Sequence, residues 1–249
     1  MFKKKEKTPK KHNPGWVSQR DMWAWQSRDI SRSIVILFAG FLMVYCTDTL
    51  HMPAAIVSAI MVLSKVCDGF GNAFAGFIVD NTHTKWGKAR PYEVLIVGLW
   101  LANWLLFSTP ESFSLVAKSI WVFIMYTLVN AVFYPILYAS NTVYIVRVFN
   151  KDQIATVQSI GGVILMLAAV IFNVAFPMMM KVFATSAAGW SKLALMWAIP
   201  MIIIGLCRMI FLPERYDVET KAEKQKKLNW KDVWQVLKHN KYIWTACLC

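Results

Sequence analysis

Three residues set the chemical question. Lys65, Asp68 and Asn72 place a cation, a carboxylate and an amide three and four residues apart inside an otherwise apolar run, "MVLSKVCDGFGNAFAGFIVD". On a helix that spacing puts all three on one face, with Gly69, Ala73 and Gly76 beside them. A carboxylate with a neutral amide oxygen nearby can hold a small cation or carry a proton, and Lys65 can neutralise it when neither is bound. Ionisable groups at bilayer depth are costly, so such a stripe is expected to point inward, toward a packed interior or a wet cavity, and to mark an ion pathway. The competing reading is structural: Lys65 and Asp68 neutralise one another and merely join two helices.

The elements that carry these residues follow from hydropathy. The chain is 57% hydrophobic and only 16% charged, with positive mean hydropathy, which describes a polytopic membrane protein rather than a soluble domain. A bilayer span takes about 20 predominantly apolar residues as helix. Six stretches qualify, at 30–50, 54–79, 92–109, 116–146, 154–180 and 191–212, with Pro135, Pro177 and Pro200 inside them. The expected organisation is a basic arm at 1–29, a six-helix bundle at 30–212, a linker at 213–241 and the start of a seventh helix at 242–249. Trp16, Trp23, Trp25, Trp86, Trp190 and Trp230 fall near segment ends, where an amphipathic ring suits the headgroup layer.

Lys and Arg placement orients the bundle. The arm, the segments around Lys85, Lys88 and Arg90 and around Arg147 and Lys151, and the stretch from Arg208 to Lys241 are basic, whereas the opposite side carries Lys118, Lys181 and Lys192. Both termini are therefore expected in the cytoplasm of a cell whose inner membrane holds the chain. The net charge of +13 lies in loops beside spans, which fits attraction to anionic lipid and not to nucleic acid. The arm lacks the apolar core and cleavage site of a signal peptide. Cys46, Cys67, Cys207, Cys247 and Cys249 read as thiols of lipid-embedded helices, and no Walker loop, zinc-protease or nucleophile-elbow motif is present. The chain is expected to be no enzyme and to need no cofactor.

The stretch "KVCDGFGNAFAGFIVDNTHTKWGKARPY", together with "YCTDTLHM" at 45–52, resembles helix two, its following loop and the end of helix one in the glycoside, pentoside and hexuronide cation symporters. This is the melibiose permease group of the major facilitator superfamily. The resemblance implies an all-α membrane fold in which this chain is the N-terminal half, partnered by a missing C-terminal half or by a second copy. It implies symport of a sugar, glycoside or uronate driven by H+ or Na+. A truncated, non-transporting half or an assembly subunit is the alternative.

The resemblance also assigns residues. Asp68 falls on the first carboxylate of the family's sodium-binding pair and Asn72 on the second, so the second ligand here is neutral and proton coupling stands beside sodium coupling. Asn130 joins them from helix four. Phe133 occupies the place of a sugar-binding Asp before the "YPIL" step, with Tyr134 next to it, and both rings can stack on a sugar. Asp29 resembles the sugar-binding Asp of helix one, although its distance to Asp48 is longer than in the family, and Arg32 competes for the position. In the loop, Asp80 ends helix two, Gly87 permits a turn, Pro91 suits the first turn of helix three, and Lys85, Lys88 and Arg90 can meet Asp80 and the negative ends of neighbouring helices. Such a clasp would bias gating. "NWKDVWQVLKHNKY" in the linker has the spacing of an amphipathic helix.

Overall fold

The computed structural model describes residues 15–82, 84 and 86–216. Lys85, most of the linker and the start of the seventh helix lie outside the described residues. Among the described residues the chain is helical, with only an isolated bridge between Thr84 and Gly87 in extended pairing.

Helix α1 spans Gln19–Ala39, capped by Ser18, whose hydroxyl oxygen accepts from the Asp21 N–H at 3.1 Å. The helix therefore begins ahead of the apolar run, and its polar first half carries Asp21, paired with Arg215 at 2.9 Å, and Arg28, Asp29 and Arg32. After Gly40 the chain bends by 41° and continues as Leu42–Thr49, of which Tyr45–Thr49 is π-helical. Helix α2 runs Ala54–Asp80. A 3-10 turn, Arg90–Val94, leads into α3, Leu95–Leu106, with Pro91 in its first turn where the missing N–H costs nothing. Helix α4 covers Leu115–Val148, α5 Lys151–Phe183 and α6 Ala187–Phe211. A reciprocal capping box between Asn150 and Gln153 starts α5, and Ser186 caps α6.

By length and apolarity α2, α4, α5 and α6 can each cross a membrane, and α1 with its bent continuation makes a fifth span if the pair is taken as one. The remaining stretch, expected at 92–109, contains α3, whose 12 residues fall short of a span.

The π-helical stretch Leu128–Phe133 inside α4 has a local cause. Pro135 cannot donate to the carbonyl four residues back, that of Ala131, and its ring crowds it, so the backbone widens just before the proline. Helix α2 crosses α4 at this point with Gly71: a Cβ there would overlap the Ala131 carbonyl.

Helix α1 packs on α5 and α6, α2 lies along α4, and α3 bridges α6, α4 and α1. The larger core is aromatic. Phe38 meets Phe107 and Phe176 edge-on, each at 4.6 Å between centroids, and Phe107 stacks on Trp190 at 5.6 Å. A second core, with Trp25, Tyr144, Val148, Phe149, Val157 and Leu212, closes the end of the bundle where α1 begins and α6 ends. The outer face of α5, from Val163 to Val182, is exposed and almost wholly apolar, as a surface covered by lipid or by further helices must be.

Candidate functional site

Helix α2 buries Val57, Ile60, Ser64, Ala75 and Val79, and this face sets the position of the polar stripe. Asp68 lies at the edge of that face with its side chain 16% exposed, while Lys65 is 63% exposed. Asn72 is exposed, and Gly69 and Gly76 have open space where a Cβ would stand. The stripe lies at the edge of the packing of these helices and flanks an open face of the unit. Lys65 Nζ donates to Asp68 Oδ2 at 2.8 Å, whereas Asp68 Oδ1 is buried with no hydrogen-bond partner among the described residues.

The two candidate amides, Asn72 on α2 and Asn130 on α4, have committed their nitrogens locally. Asn72 Nδ2 donates to the Asp68 carbonyl at 2.8 Å and Asn130 Nδ2 to the Tyr126 carbonyl at 2.9 Å, which leaves their Oδ1 atoms as acceptors. Thr127 of α4 reaches Ser64 of α2 at 3.3 Å, and Tyr126 and Tyr134 lie within electrostatic reach of Lys65.

Phe133 and Tyr134 part company across the π-helical stretch. The Phe133 ring occupies the space a Cβ on Gly98 would fill, so it packs against α3. Tyr134 instead holds the Arg32 guanidinium over its ring at 4.7 Å from the centroid, with Tyr138 on the same guanidinium at 5.7 Å.

Asp29 belongs to a buried ionic network drawn from four helical segments. It lies 3.7 Å from Arg28 Nη1, 3.7 Å from Arg32 Nε and 3.5 Å from Arg208 Nη1. Glu93, in the 3-10 turn before α3, sits 3.2 Å from Arg28 Nε and 3.8 Å from Arg208 Nε. Asn141 Oδ1 accepts from Arg28 Nη2 at 3.0 Å and from Arg208 Nη2 at 2.6 Å. Arg208 also lies 3.3 Å over the Trp25 ring. Arg28, Glu93 and Arg208 are inaccessible to solvent. Sequence reasoning missed Glu93, Asn141 and the role of Arg208, which it counted as one of many basic residues outside the spans. The available signal was a lone acidic residue two positions after Pro91 at the margin of an apolar run.

The loop after α2 is organised by another unforeseen residue. Asp80 is exposed as the last residue of α2, and Gly87 takes φ +114°, where a side chain would be strained and would strike Glu214. This turn aims successive N–H groups of Lys88, Ala89 and Arg90 at the Glu214 carboxylate, at 3.2, 2.8 and 3.1 Å. Arg147 Nη1 stands 3.5 Å from the same carboxylate, and the Arg90 Nε donates to the Met209 carbonyl, near the end of α6, at 3.0 Å. Arg90 thus meets the C-terminal end of α6.

The arrangement offers a bare carboxylate oxygen, neutral amide oxygens and a guanidinium against aromatic rings, all suited to reversible binding. Comparison with known proteins points the same way. The MFS/sugar transport protein family matches residues 33–249. The chain is similar to the isoprimeverose transporter of Lactiplantibacillus pentosus, 26% identical over 241 residues that cover 91% of this chain and 49% of that protein. It is 29% identical to the glucuronide carrier protein homolog of Escherichia coli (strain K12) over 114 residues, 44% of this chain and 24% of the carrier. An uncharacterized symporter of Bacillus subtilis (strain 168) is 22% identical over 233 residues, 90% of this chain and 49% of the symporter. The chain spans about half the length of the curated relatives it matches best along its length. With its apolar helices and this match over most of its length, the chain is a multi-pass membrane protein that belongs to the MFS/sugar transport protein family.

Proposed function

We propose that this chain forms the N-terminal six-helix unit of a cation-coupled sugar symporter, with both ends of the unit on the cytoplasmic side of the cell membrane. The solute is a sugar, glycoside or uronate, and the coupling ion is H+ or Na+. The chain's similarity to an isoprimeverose transporter and to a glucuronide carrier homolog supports that solute class.

The observation that carries the coupling role is Asp68 Oδ1, buried and without a hydrogen-bond partner among the described residues. An orphaned carboxylate oxygen is costly unless something binds it in the working cycle. A proton or a small cation satisfies it, with the amide oxygens of Asn72 and Asn130 as further neutral ligands and Lys65 as the charge that replaces the cation when it leaves. The structural alternative, in which Lys65 and Asp68 only join helices, is disfavoured by the exposure of Lys65: the ion pair lies along α2 itself, between two residues of the same helix. The loop clasped by Glu214 supports a gating role for residues 87–90, since it fastens the α2–α3 connection to the end of α6.

Asp68→Asn in the full-length protein is the test. Uphill accumulation of a sugar in energised vesicles is expected to be lost while membrane insertion and downhill exchange survive. Unchanged concentrative uptake would assign Asp68 to structure.

A further inference from the structure

Arg32 is the member of the ionic network whose position the neutralisation of its neighbours leaves unexplained. Among the described residues, Arg28, Arg32 and Arg208 bring three guanidinium groups to two carboxylates, Asp29 and Glu93, so the network carries one positive charge in excess. Asp29 already has Arg28 and Arg208 at 3.7 and 3.5 Å without Arg32, and Glu93 is held by the same two arginines. Arg32 is the surplus. It is only 8% exposed, and its Nε and Nη1 are buried without a hydrogen-bond partner among the described residues. A guanidinium cannot shed its proton to escape that cost.

The surroundings of Arg32 show where a partner would come from. Tyr134 and Tyr138 lie under the guanidinium at 4.7 and 5.7 Å from their ring centroids, and Tyr138 is 55% exposed. Tyr134 is also within electrostatic reach of Lys65, the partner of Asp68. A surplus, largely buried guanidinium backed by aromatic rings is built to receive a planar anion through paired N–H groups.

We propose that Arg32 anchors a carboxylate carried by the solute, so that the transported sugar is a uronic acid or a uronide and not a neutral glycoside. This deepens the sugar-transport reading and rests on it. Binding brings the missing negative charge to the network, and the three guanidinium groups then face three carboxylates. The selectivity comes from both terms: the anion gains charge-assisted hydrogen bonds, and a neutral sugar leaves the guanidinium N–H groups unpaired.

Counterflow exchange by the full-length protein in proteoliposomes, which needs no ion gradient, tests this with methyl glucuronide and methyl glucoside as labelled probes. The parent protein is expected to exchange the glucuronide with an affinity roughly tenfold or more above that for the glucoside, as one charge-assisted contact provides. Arg32→Gln should abolish that preference, and Arg32→Lys, which keeps the charge but not the paired geometry, should retain part of it. Exchange of the glucoside as good as or better than that of the glucuronide in the parent protein overturns the proposal while sugar transport stands. Exchange of neither probe overturns both. Retention of the full preference in Arg32→Gln, with the variant's thermal unfolding unchanged, also overturns the assignment.

Discussion

Glu93→Gln is the most direct probe of what holds the base of this helical unit together. The substitution keeps the side chain's size and removes one of the two carboxylates facing Arg28, Arg32 and Arg208. Glu93 and its two partners, Arg28 at 3.2 Å and Arg208 at 3.8 Å, have no side-chain solvent access. Water cannot replace the lost charge, and neither arginine can neutralise itself. Removing one partner of a buried ion pair costs about 3–5 kcal/mol. Asp29 remains at 3.5 Å from Arg208 and 3.7 Å from Arg28 and offsets part of this, so the lower end, about 3 kcal/mol, is expected. For a unit of this size, about 2–4 °C per kcal/mol corresponds to an apparent Tm lowered by roughly 6–12 °C. Thermal unfolding of the purified full-length protein in detergent, followed by tryptophan fluorescence, reads it. Arg208→Gln added to Glu93→Gln restores the balance of charge, and its loss should fall short of the sum of the single variants by at least about 1 kcal/mol. A Tm shift under about 2 °C for Glu93→Gln, or strict additivity in the double variant, would refute the reasoning.

The other predictions concern contact, topology and coupling. Gly71→Ala must displace the Ala131 carbonyl and should destabilise by about 1–3 kcal/mol, whereas Gly69→Ala enters open space and should be neutral or stabilising; equal thermal shifts for the two would refute the close crossing of α2 and α4. A cysteine placed at Glu111 should react with an impermeant maleimide added outside cells and one at Lys88 only after permeabilisation, and the reverse pattern would overturn the proposed orientation. Asn72→Asp adds a second carboxylate one turn from Asp68, where only a bound cation relieves the repulsion. It should create sodium-stimulated uptake at fixed pH in a parent that responds mainly to pH, and strong sodium stimulation already in the parent would rule out that contrast.

Hydropathy located most helices because a bilayer permits few alternatives. The expected stretches 54–79, 116–146, 154–180 and 191–212 became Ala54–Asp80, Leu115–Val148, Lys151–Phe183 and Ala187–Phe211; the polar additions Asp80, Arg147, Lys151, Asp152, Gln153 and Lys181 are residues that an apolar criterion rejects, and α6 starts four residues earlier and ends one earlier. The same criterion delayed α1 by eleven residues, from Gln19 to 30, because Arg28, Asp29 and Arg32 look solvated until Glu93 and Arg208 arrive from other segments. A helical wheel also could not separate Phe133 from Tyr134 by function. The π-helical stretch Leu128–Phe133 alters the register just ahead of them, and one ring packs on α3 while the other meets α1. The stripe at Lys65, Asp68 and Asn72 was legible as a face, but which side of α2 is buried depends on where Gly71 meets α4.

The clasp at Glu214 also sets an order of events during synthesis. Its carboxylate follows the N–H groups it binds by 124 to 126 residues. At about 5–20 residues per second, the turn at Gly87 leaves the ribosome roughly 6–25 s before its acceptor exists. Through that interval the polar backbone of residues 88–90 can be satisfied only by water or by a temporary partner. The connection between α2 and α3 is therefore fastened only after α6 is made, so the first half of the bundle stays loose at its base until the last helix of the unit is in place.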